Sequence, residues 1–299
     1  MEFQNEKWIS NSLMQSAGLE TQSLPEQTLF IVGVPIGNLG DITLRALWTL
    51  TKCNRIAAED TRETRKLLDK FGISVPLISV REHNEREGAE QLLHYLSQGE
   101  RIALVTDAGT PCVSDPGAKV VHIVREAGFN VVPIPGPSAV VTALSAAGLT
   151  GMGFSFVGFV PPQAKARHKA LEYWLARPEP FVLYEAPHRI LALLEDIASL
   201  SSATRHIVIA REITKKFETF SSMTMSELPA WIKTHTPRGE YVILIDEETE
   251  KTEGLSERDQ AWMNAFKGVL PHSKMASLVS KVTGVPRDEI YKQLCDSNQ

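Results

Sequence analysis

Short apolar runs recur through the first half of the chain, each broken by glycine, proline or a capping side chain and followed by helical spacing. Residues 28–34, 55–59, 77–80, 102–105 and 131–134 read as strands. Helices are expected over 44–50, from Asp60 onward, and over 86–96, 118–126 and 139–147. Strict alternation of strand and helix predicts a parallel sheet with helices on both faces.

The second half reads differently. Strands are expected at 154–159, 181–184, 206–210 and 240–245, with 220–223 pairing back antiparallel on 206–210. Helices are expected after the basic segment 161–169, after Pro187, and from a Ser226 cap to Thr234. A mixed sheet with helices follows. The glycine-rich segment 148–153 reads as a domain linker, and 247–257 as a charged one. Three short helices, 259–266, 273–282 and 287–294, then outline a helix-turn-helix, with Thr283-Gly-Val-Pro286 as the turn. The fold class is therefore two-domain α/β with a small helical appendage. Its parts are a polar, disordered extension (1–26), a parallel-sheet domain (27–148), a mixed-sheet domain (149–247) and a tail module (256–299).

Composition narrows the picture. The chain has 299 residues, 43% of them hydrophobic and 22% charged, which suits a globular protein with two cores. A net charge of -5 argues against a nucleic-acid coat but leaves room for local basic patches. Three such patches stand out: Arg62, Arg65 and Lys66; Lys165, Arg167, His168 and Lys169; and Arg211, Lys215 and Lys216. Charges in the tail nearly balance, so the footprint of a DNA reader is missing. Cys53, Cys112 and Cys295 form neither a zinc pattern nor a disulfide framework, which suggests a reducing, cytoplasmic setting. No apolar run reaches membrane-spanning length, and the first 26 residues lack a signal-peptide pattern.

Candidate chemistry gathers at the carboxyl ends of the expected strands, where open α/β sheets bind ligands. The segment Asp107-Ala-Gly-Thr-Pro-Cys-Val-Ser-Asp-Pro-Gly117 joins strand 102–105 to a helix in which Asp115 is the expected cap and Pro116 the first residue. It either cradles a small cofactor or is only a tight connection. Gly33 to Gly40 invites a phosphate reading, yet its spacing matches neither a dinucleotide fingerprint nor a Walker loop. Gly136 and Ser138 open a helix whose free N–H groups suit a carboxylate or an adenosine edge. Glu59, Asp60 and Arg62 sit at a strand end, where Asp60 or Thr61 also serves as a plain helix cap. His83 lies in a loop of carboxylates.

Several of these segments carry a family resemblance. Gly33-Val-Pro-Ile-Gly37-Asn, the Asp107–Gly117 loop and Pro133-Ile-Pro-Gly-Pro-Ser138-Ala139 resemble the tetrapyrrole methylase fold family, whose enzymes use S-adenosylmethionine. Ala58-Glu-Asp-Thr-Arg62, Glu82-His-Asn-Glu85, Tyr184-Glu-Ala-Pro-His-Arg189 and Arg211-Glu-Ile-Thr-Lys-Lys-Phe-Glu218 are similar to its branch that methylates 16S ribosomal RNA. The resemblance spans about residues 27 to 295. It implies methyl transfer to a cytidine 2'-hydroxyl in the decoding region of the small ribosomal subunit, by a homodimer with no membrane association. It places the cofactor on Gly109, Thr110, Cys112, Val113, Ser138 and Ala139, with Tyr184, Ala210 and Gly239 from the second domain. The glycine loop 33–40 would face the substrate. Candidate general bases near that cleft are Asp60, His83 and His188, with Glu59, Glu82 and Glu185 behind them. Arg62 and Arg189 could hold a phosphate or orient a carboxylate. Methylation of a small tetrapyrrole-like molecule is the alternative within the same fold, and a non-catalytic nucleotide-binding regulator using the tail is a third reading.

Overall fold

The computed structural model describes residues 11–149, 151, 153–248, 257–266, 269–283 and 285–296. Its residues group into two compact units, Met1–Glu247 and Glu248–Gln299. The first unit holds two five-stranded sheets.

Strands β1 (Thr28–Val32), β2 (Arg55–Ala58), β3 (Leu77–Ser79), β4 (Arg101–Val105) and β5 (Asn130–Ile134) form an all-parallel sheet in the order β3-β2-β4-β1-β5. Alternate side chains serve opposite faces. Phe30, Val32, Ile56 and Val105 pack with Ala46, Leu47 and Leu50 of the helix Leu44–Lys52. Leu29, Ala57, Ile102 and Leu104 pack with Leu92 of Glu85–Ser97 and with Val120 and Val124 of Ala118–Glu126. The chain thus leaves β1 over one face and β4, its neighbour, over the other. That divergence opens a crevice beyond the carboxyl ends of β1 and β4, the switch point where such sheets bind ligands.

Strands β6 (Ser155–Gly158), β7 (Phe181–Glu185), β8 (His206–Arg211), β9 (Thr219–Thr224) and β10 (Tyr241–Ile245) form a mixed sheet in the order β6-β7-β10-β8-β9. Only the β6–β7 pair is parallel; the others are antiparallel. One face is covered by Ala164–Leu175, Ile190–Leu200 and Leu228–Thr234. The other face presents Val182, Val208, Ala210, Val242 and Leu244 to Val140 and Ala143 of the helix Ala139–Ala147. That helix follows β5 in the chain yet buries its apolar stripe on the second sheet, so the two sheets share one unit.

Local signals depart from expectation in three places. Residues 113–116 bend instead of starting a helix, and Gly117 at φ 124° takes the capping position expected of Asp115, ahead of the helix Ala118–Glu126. Ser226 is not a cap; its hydroxyl pairs with Thr224, and Glu227 precedes the helix Leu228–Thr234. The described part of the N-terminal extension, expected to be disordered, packs on the fold: Met14 and Leu19 are buried against the first core, and Arg101 holds the Leu24 carbonyl and Glu26. Two anchors make no periodic stripe, so the sequence pattern hides them.

In the second unit, helices Glu257–Ala265, His272–Thr283 and Arg287–Asp296 enclose Met263, Met275, Ala276, Ile290 and Leu294. Of the charged linker read at 247–257, residues 249–256 lie outside the described residues.

Ala143 has no exposed surface in the joint between its helix and the second sheet. Replacing Ala143 with Leu should overpack that joint and cost about 1–3 kcal/mol. A urea unfolding midpoint equal to that of the parent would contradict this packing.

Candidate active site

Three loops meet at the crevice, fastened mostly through main chain. Gly33, after β1, and Gly136, after β5, touch so closely that a Cβ built on either would lie 2.8 Å from the other's backbone. Val34 and Gly109 exchange two backbone hydrogen bonds of 2.9 and 3.1 Å. Gly109 sits at φ 81°, a left-handed conformation that glycine adopts without strain. The Thr110 hydroxyl donates to the Pro137 carbonyl at 3.0 Å. Cys112 at φ 70° and Ser114 at φ 62° are non-glycine residues in the same strained region.

The far end of the loop is held by Glu85, a carboxylate only 5% exposed. Its Oε1 accepts from the Gly117 N–H at 2.7 Å, and its Oε2 pairs with Lys119 at 3.3 Å. The carboxylate thus takes an unpaired donor at the start of Ala118–Glu126, supplied by another helix. Tyr184 does the same from the second sheet. Its hydroxyl accepts from the Val140 N–H at 3.0 Å, at the start of Ala139–Ala147, with Phe156 and Phe159 edge-on to its ring. Burial pushes the Tyr184 phenol up to about 12, so it stays neutral.

These contacts enclose a cavity of about 360 Å³, within the range of small-molecule sites. Gly109, Thr110, Val113, Ser138, Ala139 and Tyr184, six of the residues expected to hold a cofactor, line it. Ile36, Phe159 and Ile213 add apolar surface. Cys112, Ala210 and Gly239 do not line it. A side chain on Gly117 would meet the Cys112 sulfur, Ala210 is buried in β8 opposite Val242, and Gly239 backs onto Glu212.

Three carboxylates lie on the wall, Asp115, Glu185 and Glu240. Glu185 is buried and faces Arg189 at 3.0 Å and the Ala186 N–H at 2.8 Å. Glu240 pairs with Lys215 at 2.8 Å. Asp115 has no ion pair among the described residues. Burial, reinforced by the charges of Glu59 and Asp107, pushes its acid up to about 6. The Thr106 hydroxyl donates to Glu59 Oε2 at 2.8 Å and lies close enough to Asp115 to offset part of that rise. This is an anionic corner, with no cation paired to Asp115 among the described residues.

Of the candidate catalytic groups, Glu185 lines the cavity, whereas Glu59, Asp60, Arg62, Glu82, His83 and His188 do not. Glu59 is taken up by Thr106. Asp60 caps Thr61–Lys70 and is gripped by the Arg62 guanidinium at 2.6 Å, which holds its acid far below the usual carboxylate range. Its N–H donates to Asp107 Oδ1 at 3.0 Å. Asp107, at the mouth of the crevice, has its acid raised, first by burial and then by Glu59, Asp60 and Glu63. His83 and His188 are exposed. Arg189, weighed as a phosphate ligand, donates instead to the Val160 carbonyl at 2.6 Å and faces Glu185.

The basic patches are partly neutralised: Lys66 pairs with Glu63, buried Arg167 with Asp196, and Lys215 with Glu212 and Glu240. Asp107 and Asp115 carry no local signal of a role at this site: both lie in the Asp107–Gly117 loop, where Asp115 beside Pro116 reads as a helix cap.

A family model described as tetrapyrrole (corrin/porphyrin) methylases matches residues 28–229. A ribosomal RNA small subunit methyltransferase I of Neisseria meningitidis serogroup B is 49% identical over 267 residues, covering 88% of this chain and 91% of that protein. One of Escherichia coli O157:H7 is 44% identical over 266 residues, covering 88% and 93%. Among solved structures, a cobalt precorrin-4 methyltransferase of cobalamin biosynthesis superposes with a TM-score of 0.54 at 15% identity, covering 74% of this chain and 95% of its own. A uroporphyrin-III-C-methyltransferase from Thermus thermophilus gives 0.52 at 19%, covering 74% and 94%. At these identities the solved structures establish the fold alone.

Two stability measurements test this geometry. Glu85→Ala should strand the Gly117 N–H and cost about 1–3 kcal/mol, read as a lowered urea midpoint. Asp115 has a folded-state pKa above that of a free aspartate, so its ionisation opposes folding. Asp115→Asn should therefore raise the melting temperature at pH 8, by about 2 °C, and leave it unchanged near pH 4. Equal melting temperatures at pH 8 would contradict the anionic corner.

Proposed function

This chain belongs to the tetrapyrrole (corrin/porphyrin) methylase family, and from that premise we propose that it transfers a methyl group from S-adenosylmethionine to small-subunit ribosomal RNA. We place the transfer at the 2'-hydroxyl of a cytidine in the decoding region, by a cytoplasmic homodimer. Relatives named for the ribosomal reaction, 44–49% identical over 88% of the chain, favour RNA over a tetrapyrrole as acceptor. Among the described residues no helix is long and apolar enough to cross a membrane.

The wall chemistry fits the donor. Bound S-adenosylmethionine supplies an activated methyl group on a cationic sulfur, beside an ammonium and a carboxylate. A cavity of about 360 Å³ with apolar sides and one carboxylate with no cation paired to it among the described residues suits a cationic, partly apolar ligand of that size. The uncompensated Asp115 carboxylate is the observation that carries this reading. Asp115 attracts the positive end, while Gly109, Thr110, Val113, Ser138, Ala139 and Tyr184 fix the remainder by shape. Cys112, Ala210 and Gly239 support that wall from behind.

The reaction is an in-line displacement: the O–C bond forms as the S–C bond breaks, and sulfur keeps the electron pair. Alignment by the fastened loops supplies much of the acceleration. The hydroxyl proton must leave. Among the carboxylates at the strand ends, Asp107 suits that task best, because its raised pKa makes it a stronger base than Asp60. Asp60, Arg62 and Glu59 hold the rim in place; His83 and His188 lie on the surface where RNA would pass.

Donor affinity should depend on Asp115 being ionised. It should fall about tenfold from pH 7.5 to pH 5 in calorimetric titrations, and this dependence should vanish in Asp115→Asn. PH-independent affinity in the parent would contradict the assignment. Asp107→Asn should lower kcat by about 10²–10⁴-fold while leaving donor affinity intact. Mapping ribose methylation in ribosomes from cells lacking the gene tests the acceptor: one cytidine 2'-O-methyl should disappear, and an unchanged map would contradict the reading.

A further inference from the structure

A second pocket, of about 430 Å³, adjoins the cavity. Ile36 lies on both, and the chain passes from one to the other at Pro137–Ser138 and Ile213–Thr214. Its wall is of another kind. Asp41, Thr43, Thr142 and Thr214 bring a carboxylate and three hydroxyls against Pro137 and the Gly136 backbone.

Two of those groups are incomplete. Asp41 Oδ2 and Thr214 Oγ1 are shielded from water and have no hydrogen-bond partner among the described residues. Native proteins rarely leave such oxygens unpaired, because each costs the desolvation of a polar group. Thr214, at φ 68°, and Glu212, at φ 52°, also lie in a region that non-glycine residues avoid. Strain of this kind collects at ligand sites. Thr43 is already occupied: it caps Leu44–Lys52 by accepting from the Ala46 N–H.

We infer that this pocket receives the base of the methylated nucleotide, with the Asp41 carboxylate accepting from an exocyclic amino group and the Thr214 hydroxyl completing the base edge. The inference rests on the methyl-transfer reading above and adds the determinant of base choice. A carboxylate accepts hydrogen bonds and offers none. Cytosine presents an amino donor where uracil presents a carbonyl acceptor, so uracil would set two acceptors face to face. Sites built around such a bond reject analogues lacking it far more strongly than apolar pockets do. Adjacency suits the chemistry, since a ribose beside the methyl donor must place its base in neighbouring space.

The test compares small ribosomal particles carrying cytidine or uridine at the mapped target, with the parent protein and Asp41→Asn. Because Asp41 Oδ2 makes no bond in the protein, the isosteric amide should leave the melting temperature and the S-adenosylmethionine affinity unchanged. The parent should prefer cytidine by about 100-fold or more in kcat/KM, and the variant's preference should fall at least about tenfold, since an amide can turn to donate to uracil. An unchanged cytidine-to-uridine ratio, or an equal loss on both particles, with folding and donor affinity intact, would overturn the inference while sparing the methyl-transfer reading. A parent protein that binds no S-adenosylmethionine or methylates neither particle would remove both. Thr214→Ser, which keeps the hydroxyl, should retain the parental ratio; a collapsed ratio there would also count against the assignment.

Discussion

The backbone contact between Gly33 and Gly136 is the constraint from which the site follows. No side chain fits between them, so the loops after β1 and β5 are pressed together in the crevice that the sheet order opens. Gly109 then bonds to Val34, Thr110 bonds to Pro137, and the loop after β4 closes the third side. A site fixed by main chain costs little reorganisation on binding, which is what a reaction governed by alignment requires.

Two side chains extend that frame. Tyr184 reaches from the second sheet to the start of Ala139–Ala147, and Glu85 reaches from Glu85–Ser97 to the start of Ala118–Glu126. Both satisfy helix N–H groups that would otherwise be unpaired, and both thereby fix a wall of the cavity. Charge is used sparingly: of the three wall carboxylates, Glu185 and Glu240 have cations of their own, and Asp115 has none among the described residues.

Much of this was legible in the sequence. Strand and helix alternation gave the parallel sheet, and six of the residues expected at the cofactor line the cavity, most of them in the loops after β4 and β5. Long-range polar contacts were not legible. Asp115 next to Pro116 reads as a helix cap by every local rule, yet the helix starts later because Glu85 takes the Gly117 N–H. Asp60 beside Arg62 reads as a catalytic pair, but their mutual grip suppresses the basicity a proton acceptor needs. Arg167 and Lys215 read as free cations and are paired with carboxylates distant in sequence. Met14 and Leu19 join the first core without a periodic stripe to announce them.

The central claim is that the methyl donor rests between the Gly109–Asp115 loop and Tyr184. A crystal structure of the protein with bound S-adenosylmethionine tests it directly. The expected result is density for the donor in that cavity, with the Asp115 carboxylate against a cationic group. Density confined to another surface, or a donor whose positive groups face away from Asp115, would contradict it.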